Sequence, residues 1–321
     1  MTNKCRWAYI GSGSIAESTA KEITKGNHQI VSVYSRNFEK AHTFAEKYSA
    51  VAYESFSKAI SDKNVDAVYI ATPHTSHLDY ALEAMKQGKP VLCEKPVAIN
   101  EQEVNTLING AKEKNVYFCE AMWTWFSDVA IKVKDWLHGG KIGQVKEVII
   151  HYSFPGIFMP KTSRVLMPET AGGALLDIGI YPITYCYNLF GVPDEILCNG
   201  KVKNGIDISE KITLRYGKTV CRLHISLSSA REDCTIKGEN GTIKLPFFHM
   251  ASKAILKNKD GKEIFRGKTD YLTEFTRAAE EICSGKTESD YIPFSSTKNC
   301  MKIMDECRRQ MHLKYPFEKT I

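Results

Sequence analysis

The first residues whose spacing could do chemistry are Gly11-Ser12-Gly13-Ser14-Ile15-Ala16, directly after the apolar run Trp7-Ala8-Tyr9-Ile10. A G-x-G-x-x-A between a strand and a helix makes a phosphate cradle. Gly11 permits the tight turn, Gly13 lets backbone approach a pyrophosphate, and Ala16 lets the helix pack closely on the strand. The helix N-terminus then offers N–H donors and the positive end of its dipole to the phosphates. An NAD site carries a carboxylate about 20 residues further on, where it takes the ribose hydroxyls. This chain has Ser35-Arg36 in that place. A hydroxyl and a guanidinium suit a 2′-phosphate, and the planar guanidinium can stack on adenine. The pattern predicts NADP as the preferred cofactor, with NAD the alternative if Arg36 is only a solvated residue at a helix entry.

With such a cofactor, hydride transfer asks the protein only to hold the nicotinamide against a reacting carbon. The substrate oxygen also needs a proton donor or acceptor. Lys95 and Tyr181 are the candidates. A tyrosine with an ordinary pKa near 10 is a poor base at neutral pH, but a nearby ammonium stabilises the phenolate. Asp177 and Tyr181 stand four apart in the segment 173–189, which is apolar on nearly every side, so they share one face of a largely buried helix. A buried carboxylate there needs a partner, either Lys95 or a substrate hydroxyl. The bland alternative makes Asp177 a first-turn carboxylate and Tyr181 a core aromatic.

These residues must be positioned by two kinds of structure. Over the first 120 residues, strand-like runs at 6–10, 29–35, 66–71, 90–93 and 116–119 alternate with helical segments at 14–25, 37–47, 75–87 and 101–114. That order predicts a parallel sheet with helices on both faces. From 144 onward strands dominate with half-exposed alternation. In 219–227, Thr219, Cys221, Leu223, Ile225 and Leu227 oppose Val220, Arg222, His224 and Ser226, which predicts a broad antiparallel sheet with one polar face. Helices are expected at 127–138, 173–189, 271–284 and 296–312, and the loop 153–170 has no readable regular structure. The expected fold class is α/β. A doubly wound Rossmann domain over 1–121 binds NADP, and an α/β domain over 122–321, with a large, mostly antiparallel open sheet, binds substrate and dimerises.

The 321 residues, 43% hydrophobic, give each domain its own core, and 43 basic against 37 acidic side chains leave no charged tail or block. No basic stripe with interleaved aromatics marks a nucleic-acid surface, and no run reaches the roughly 18 to 20 apolar residues that span a bilayer. Ten scattered cysteines, none in a C-x-x-C pair, and a start without a leader pattern predict a cytoplasmic, reduced protein. His74 and His77 lack a third spaced ligand, so no metal is expected.

Three stretches together resemble the family of glucose-fructose oxidoreductase, inositol dehydrogenase and MocA. They are the 11–16 turn, Ala71-Thr72-Pro73-His74-Thr75-Ser76-His77 running into Glu94-Lys95-Pro96, and Gly172-Gly173-Ala174-Leu175-Leu176-Asp177-Ile178-Gly179-Ile180-Tyr181-Pro182. The last stretch and Glu120-Ala121-Met122-Trp123 look most like the branch of dimeric dihydrodiol dehydrogenase. The resemblance implies Lys95, Asp177 and Tyr181 as the catalytic set, with Lys95 tuning Tyr181 or relaying its proton. It implies cofactor contacts from Gly11, Ser12, Gly13, Ser14, Ile15, Ser35, Arg36, Thr72, Pro73, His77, Glu94 and Lys95. Substrate contacts would come from Trp123, Trp125, Phe154, Asp177 and Tyr181, with Phe158 a further candidate for the pocket wall. A cis bond at Lys95-Pro96 is also expected from relatives. The chain departs at Met122-Trp123-Thr124-Trp125-Phe126, where relatives have arginine in place of Trp125. The expected function is reversible oxidation of a sugar, polyol or cyclic diol by a homodimer or higher homo-oligomer joined through the second sheet. A dinucleotide-sensing regulator and a glycosidase with tightly held NAD, both known on this fold, are the competing readings.

Overall fold

The structure, a computed structural model, describes residues 4–318 and divides into two compact units. The first is built from the chain up to Ala98, Gln102–Trp123 and Asp270–Ser295; the second from Ile99–Glu101, Thr124–Thr269 and Ser296 onward.

Along the chain come β1 (Arg6–Ile10), α1 (Ser14–Ile23), β2 (Gln29–Tyr34), α2 (Phe38–Lys47), β3 (Val51–Tyr53), α3 (Phe56–Ser61), β4 (Ala67–Ile70), α4 (His77–Lys86), β5 (Val91–Glu94), α5 (Glu101–Lys114) and β6 (Phe118–Ala121). The strands pair in the order β3-β2-β1-β4-β5-β6, all parallel. The order reverses direction on either side of β1, so β1 and β4 part above the turn at Gly11. Ligands bind open parallel sheets at that switch point. β1, β4, β5 and β6 are buried almost throughout, as strands covered on both faces must be. The sequence reading missed β3 and α3. β3 is a three-residue edge strand with an exposed Val51, too short and too wet to show a period.

The second unit holds α6 (Asp128–His138), β7 (Val145–Ser153), α7 (Ile180–Phe190), β8 (Glu195–Lys203), β9 (Ile206–Tyr216), β10 (Thr219–Ser226), β11 (Arg231–Gly238), β12 (Gly241–Pro246), β13 (Lys253–Asn258) and β14 (Gly261–Arg266). Its eight strands run β14-β13-β12-β11-β7-β10-β9-β8, antiparallel except for β7 beside β10. As the alternation predicts, Cys221, Leu223, Ile225 and Leu227 are fully or almost fully buried, while Arg222 is exposed and His224 and Ser226 half-buried. The α7 side covers the apolar face. Edge strand β8 is capped by Gln310, whose amide donates to the Ile196 carbonyl (2.8 Å) and accepts from the Cys198 N–H (2.7 Å), which occupies an edge that would otherwise pair with another chain.

Two helices close the chain: α8 (Tyr271–Cys283) and α9 (Phe294–Gln310). The sequence reading places a single crossing at 121/122, but α8 returns to the first unit. Phe275 packs edge-on against Trp7 (4.9 Å between ring centroids) and Tyr69 (4.8 Å), and the Tyr271 N–H donates to Glu22. An amphipathic period tells that a helix has an apolar face, not which sheet receives it.

Candidate active site

In the first unit, β1 is followed by Gly11 at φ +108°, where a Cβ would stand 2.5 Å from the Ala71 carbonyl oxygen. Only glycine permits both that dihedral and that approach to β4. The Gly11 N–H donates to the Tyr34 carbonyl, tying the turn to β2 (2.8 Å). A Cβ on Gly13 would meet nothing within 4 Å, so space stands open above the N-terminus of α1, and Ala16 is wholly buried beneath it. Gly11, Ser12, Gly13, Ser35, Arg36, Thr72 and Pro73 converge on one depression of about 340 Å³. Tyr34, Lys40, Ala71 and Tyr80 complete its lining. Lys40, one turn into α2 after Arg36, was missed, although two cations four residues apart at a helix start are a readable sign of a phosphate site. Ser14 and Ile15 open α1 beside the depression rather than lining it. This cradle fits a dinucleotide phosphate with the adenosine end toward Arg36.

His77 is fully buried, and its ring nitrogens lie 2.9 Å from the Pro96 carbonyl and 2.7 Å from the Thr72 carbonyl. Carbonyl oxygens only accept, so the donor in these contacts is a ring N–H of His77. His77 thereby ties a cradle residue to the lysine loop. That loop leaves β5 at Glu94 and contains a cis Lys95-Pro96 bond, as expected. Glu94 is buried; it accepts from the Tyr69 hydroxyl (2.5 Å) and from the Lys95 N–H (3.3 Å). Glu120 accepts from the Val97 N–H (3.1 Å). Three consecutive residues, Lys95 to Val97, thus have a backbone group held by a buried side chain. His74 packs edge-on to His77, 6.0 Å between centroids. Among the described residues no group of three or more His, Cys, Asp or Glu is placed to hold a metal.

In the second unit, the expected helix 173–189 begins with a π-helical turn, Leu175–Gly179, and continues as α7. Such turns are rare and cluster at functional sites. The cause is local. Gly173 takes φ +126° against the Asp207 carboxylate, whose Oδ2 accepts the Leu175 N–H, while Gly179 lies on Ile225 of β10. Asp177 and Tyr181, both nearly buried, leave this segment. Asp177 pairs with Arg164 (2.8 Å), a partner the sequence reading did not name. The signal was available: a carboxylate in an apolar helix, preceded by a loop whose cations are Lys161 and Arg164. That loop, 153–170, contains three short 3-10 turns.

The expected aromatic wall draws on both units. Trp123 belongs to the first unit and packs at a tilt against Tyr271 (4.8 Å between ring centroids). Trp125 lies in the second, edge-on to Tyr185 (5.4 Å), with Phe248 on the same tyrosine (5.1 Å). Phe154 folds over Gly156, and Phe158 is 79% exposed. Tyr152, Phe248 and His249, none of them foreseen, gather beside Tyr181 and Tyr185.

Known proteins share both halves of this architecture. A family model described as an oxidoreductase family with an NAD-binding Rossmann fold matches residues 5–121, and one described as the GFO/IDH/MocA C-terminal domain matches 130–244. The chain is 32% identical over 330 residues to a scyllo-inositol 2-dehydrogenase (NADP(+)) of Bacillus subtilis, covering 98% of this chain and 99% of that one. It is 30% identical to a trans-1,2-dihydrobenzene-1,2-diol dehydrogenase of Danio rerio, covering 97% and 98%. Its fold matches that of KijD10, a 3-ketoreductase from Actinomadura kijaniata in complex with NADP and TDP-benzene. The TM-score is 0.86 at 20% identity, over 96% of this chain and 98% of that one. With the glycine turn at the switch point, the lysine loop after β5 and both domain models in sequence, the chain belongs to the Gfo/Idh/MocA family of oxidoreductases.

Proposed function

We propose that the chain is an NADP-dependent oxidoreductase that interconverts a secondary alcohol and its ketone, or an aldehyde and its oxidised form, on a sugar, polyol or cyclic diol. The observation that carries the cofactor is the cradle at the β1/β4 switch point, with Ser35, Arg36 and Lys40 where a 2′-phosphate would lie. Relatives named as NADP(+)-dependent inositol and D-xylose dehydrogenases support it. Bound nicotinamide supplies or accepts the hydride. The residues of this chain bind, orient and move the proton.

In this reading Tyr181 exchanges a proton with the substrate oxygen, and Lys95 favours its phenolate form. Asp177 has its charge balanced by Arg164, so it can accept a substrate hydroxyl while remaining ionised. The open face of the eight-stranded sheet, where Leu197 and Ile264 are exposed among polar residues, receives a second copy of the chain. All ten cysteines are free thiols, eight of them buried, which suits a reducing, cytoplasmic setting. Among the described residues no helix is long and apolar enough to cross a membrane.

The test is cofactor absorbance with purified protein. NADP or NAD is offered with aldoses, inositols and trans-diols, and NADPH with ketoses and dicarbonyls. Turnover with NADP is the expected result. Tight NADP binding with no turnover across the panel would sink the catalytic reading and favour a sensing role.

A further inference from the structure

The second unit contains a carboxylate–histidine pair that the catalytic assignment does not use. Glu232 on β11 stands directly opposite Tyr152 on β7, so both side chains share the covered face of the sheet. One oxygen, Oε1 of Glu232, accepts the His249 N–H (2.6 Å), the Met250 N–H (3.4 Å) and a bond from His249 Nδ1 (2.7 Å). The turn Phe248–Met250 after β12 is therefore built on Glu232. The imidazole is set as a consequence. It stacks on Tyr152 (4.5 Å between centroids, 29° between planes) and stands 5.6 Å from the ring of Tyr181. Tyr152 also meets Tyr181 edge-on at 5.7 Å.

A carboxylate that already takes two backbone N–H groups can only accept from the ring, so Nδ1 of His249 carries its proton. In the neutral ring Nε2 then keeps its lone pair. The geometry points to His249 as a specificity-determining residue, whose Nε2 accepts a hydroxyl of the substrate adjacent to the one that exchanges its proton with Tyr181. The inference rests on the reading of Tyr181 given above and narrows its substrate class to compounds with neighbouring hydroxyls. Tyr152 and Glu232 are positioning residues: one fixes the plane of the ring, the other its tautomer. A site built to bond a hydroxyl discriminates strongly against an analogue that lacks it, because its own polar group is left unmatched.

The experiment compares three substrate pairs that differ by one neighbouring hydroxyl: trans-cyclohexane-1,2-diol and cyclohexanol, D-xylose and 2-deoxy-D-xylose, myo-inositol and a deoxyinositol. His249→Asn retains a donor for Glu232 and loses Nε2; His249→Phe retains the stack. For the preferred pair, both variants should lower kcat/KM for the hydroxylated member by about 10- to 100-fold, mostly through KM, and leave the deoxy member within about threefold. His249→Gln, whose amide reaches toward the Nε2 position, should recover part of the loss. Thermal unfolding is followed in parallel, so that a variant with native stability and changed preference reads as a contact. An equal loss on both members, or no loss on either, overturns this inference and leaves the parent reading standing. Silence of the wild-type chain on all three pairs and across the wider panel, while it binds NADP, refutes the parent reading and this one with it.

Discussion

Replacing Arg36 by aspartate tests the cofactor assignment most directly. Arg36 is exposed at the rim of the cradle, with Lys40 as a second cation in the same lining. A charge-assisted hydrogen bond to a phosphate contributes about 1.5–3 kcal/mol, and an exposed arginine with a second cation beside it belongs at the lower end. The new carboxylate adds repulsion. Two unit charges about 5 Å apart in water interact by about 0.8 kcal/mol, and the phosphate carries somewhat more than one charge, so about 1 kcal/mol is a fair figure. The sum, about 2.5 kcal/mol, corresponds to roughly a 70-fold rise in Kd for NADP. NAD has no 2′-phosphate, so its Kd should stay within about threefold or improve, because a carboxylate there can take the ribose hydroxyls. The assay is titration of protein fluorescence with each dinucleotide at low salt and again at about 0.15 M, where a Debye length near 8 Å should shrink the NADP penalty. A change below about threefold for NADP, or parallel losses for both dinucleotides, would refute the reasoning.

Three further outcomes follow from the same geometry. Tyr181→Phe and Lys95→Met should each lower kcat by about 100-fold or more, with Tyr181→Phe leaving NADP affinity unchanged; turnover within a few fold of wild type would remove both from the catalytic set. Gly11→Ala forces a Cβ to within 2.5 Å of the Ala71 carbonyl at φ +108°, a strain of about 1–3 kcal/mol, and should weaken NADP binding at least about fivefold by displacing Thr72; unchanged titration would contradict the cradle. Burial pushes the Glu274 carboxyl well up, and neither of its oxygens has a hydrogen-bond partner among the described residues. The folded state therefore holds a proton that the unfolded state releases above pH about 4.3, and stability falls as pH rises, by up to about 1.4 kcal/mol per pH unit. Glu274→Gln should flatten that slope in urea melts between pH 5 and 7, and an unchanged slope would place the effect elsewhere.

The sequence by itself determined the cofactor turn, because what G-x-G-x-x-A needs is local: one left-handed glycine, one open glycine and a small residue under a helix. It likewise determined the strand–helix alternation of the first sheet and the two-faced alternation of Thr219–Ser226, since burial on one side of a strand repeats every two residues. It offered Lys95, Asp177 and Tyr181 as a chemically sensible set, and the resemblance to a family weighted that reading over a plain core helix. Tertiary structure decided the rest. Which sheet receives α8 and which loop cation meets Asp177 depend on contacts between segments far apart in the chain or on turn geometry with no period. The π-helical turn before Tyr181 follows from Asp207, 30 residues after Asp177 along the chain. The Glu232–His249 pair rests on the pairing of β11 with β7 and on a turn after β12. Periodicity shows which face of an element is apolar, but only the packed fold decides which side chains meet across it.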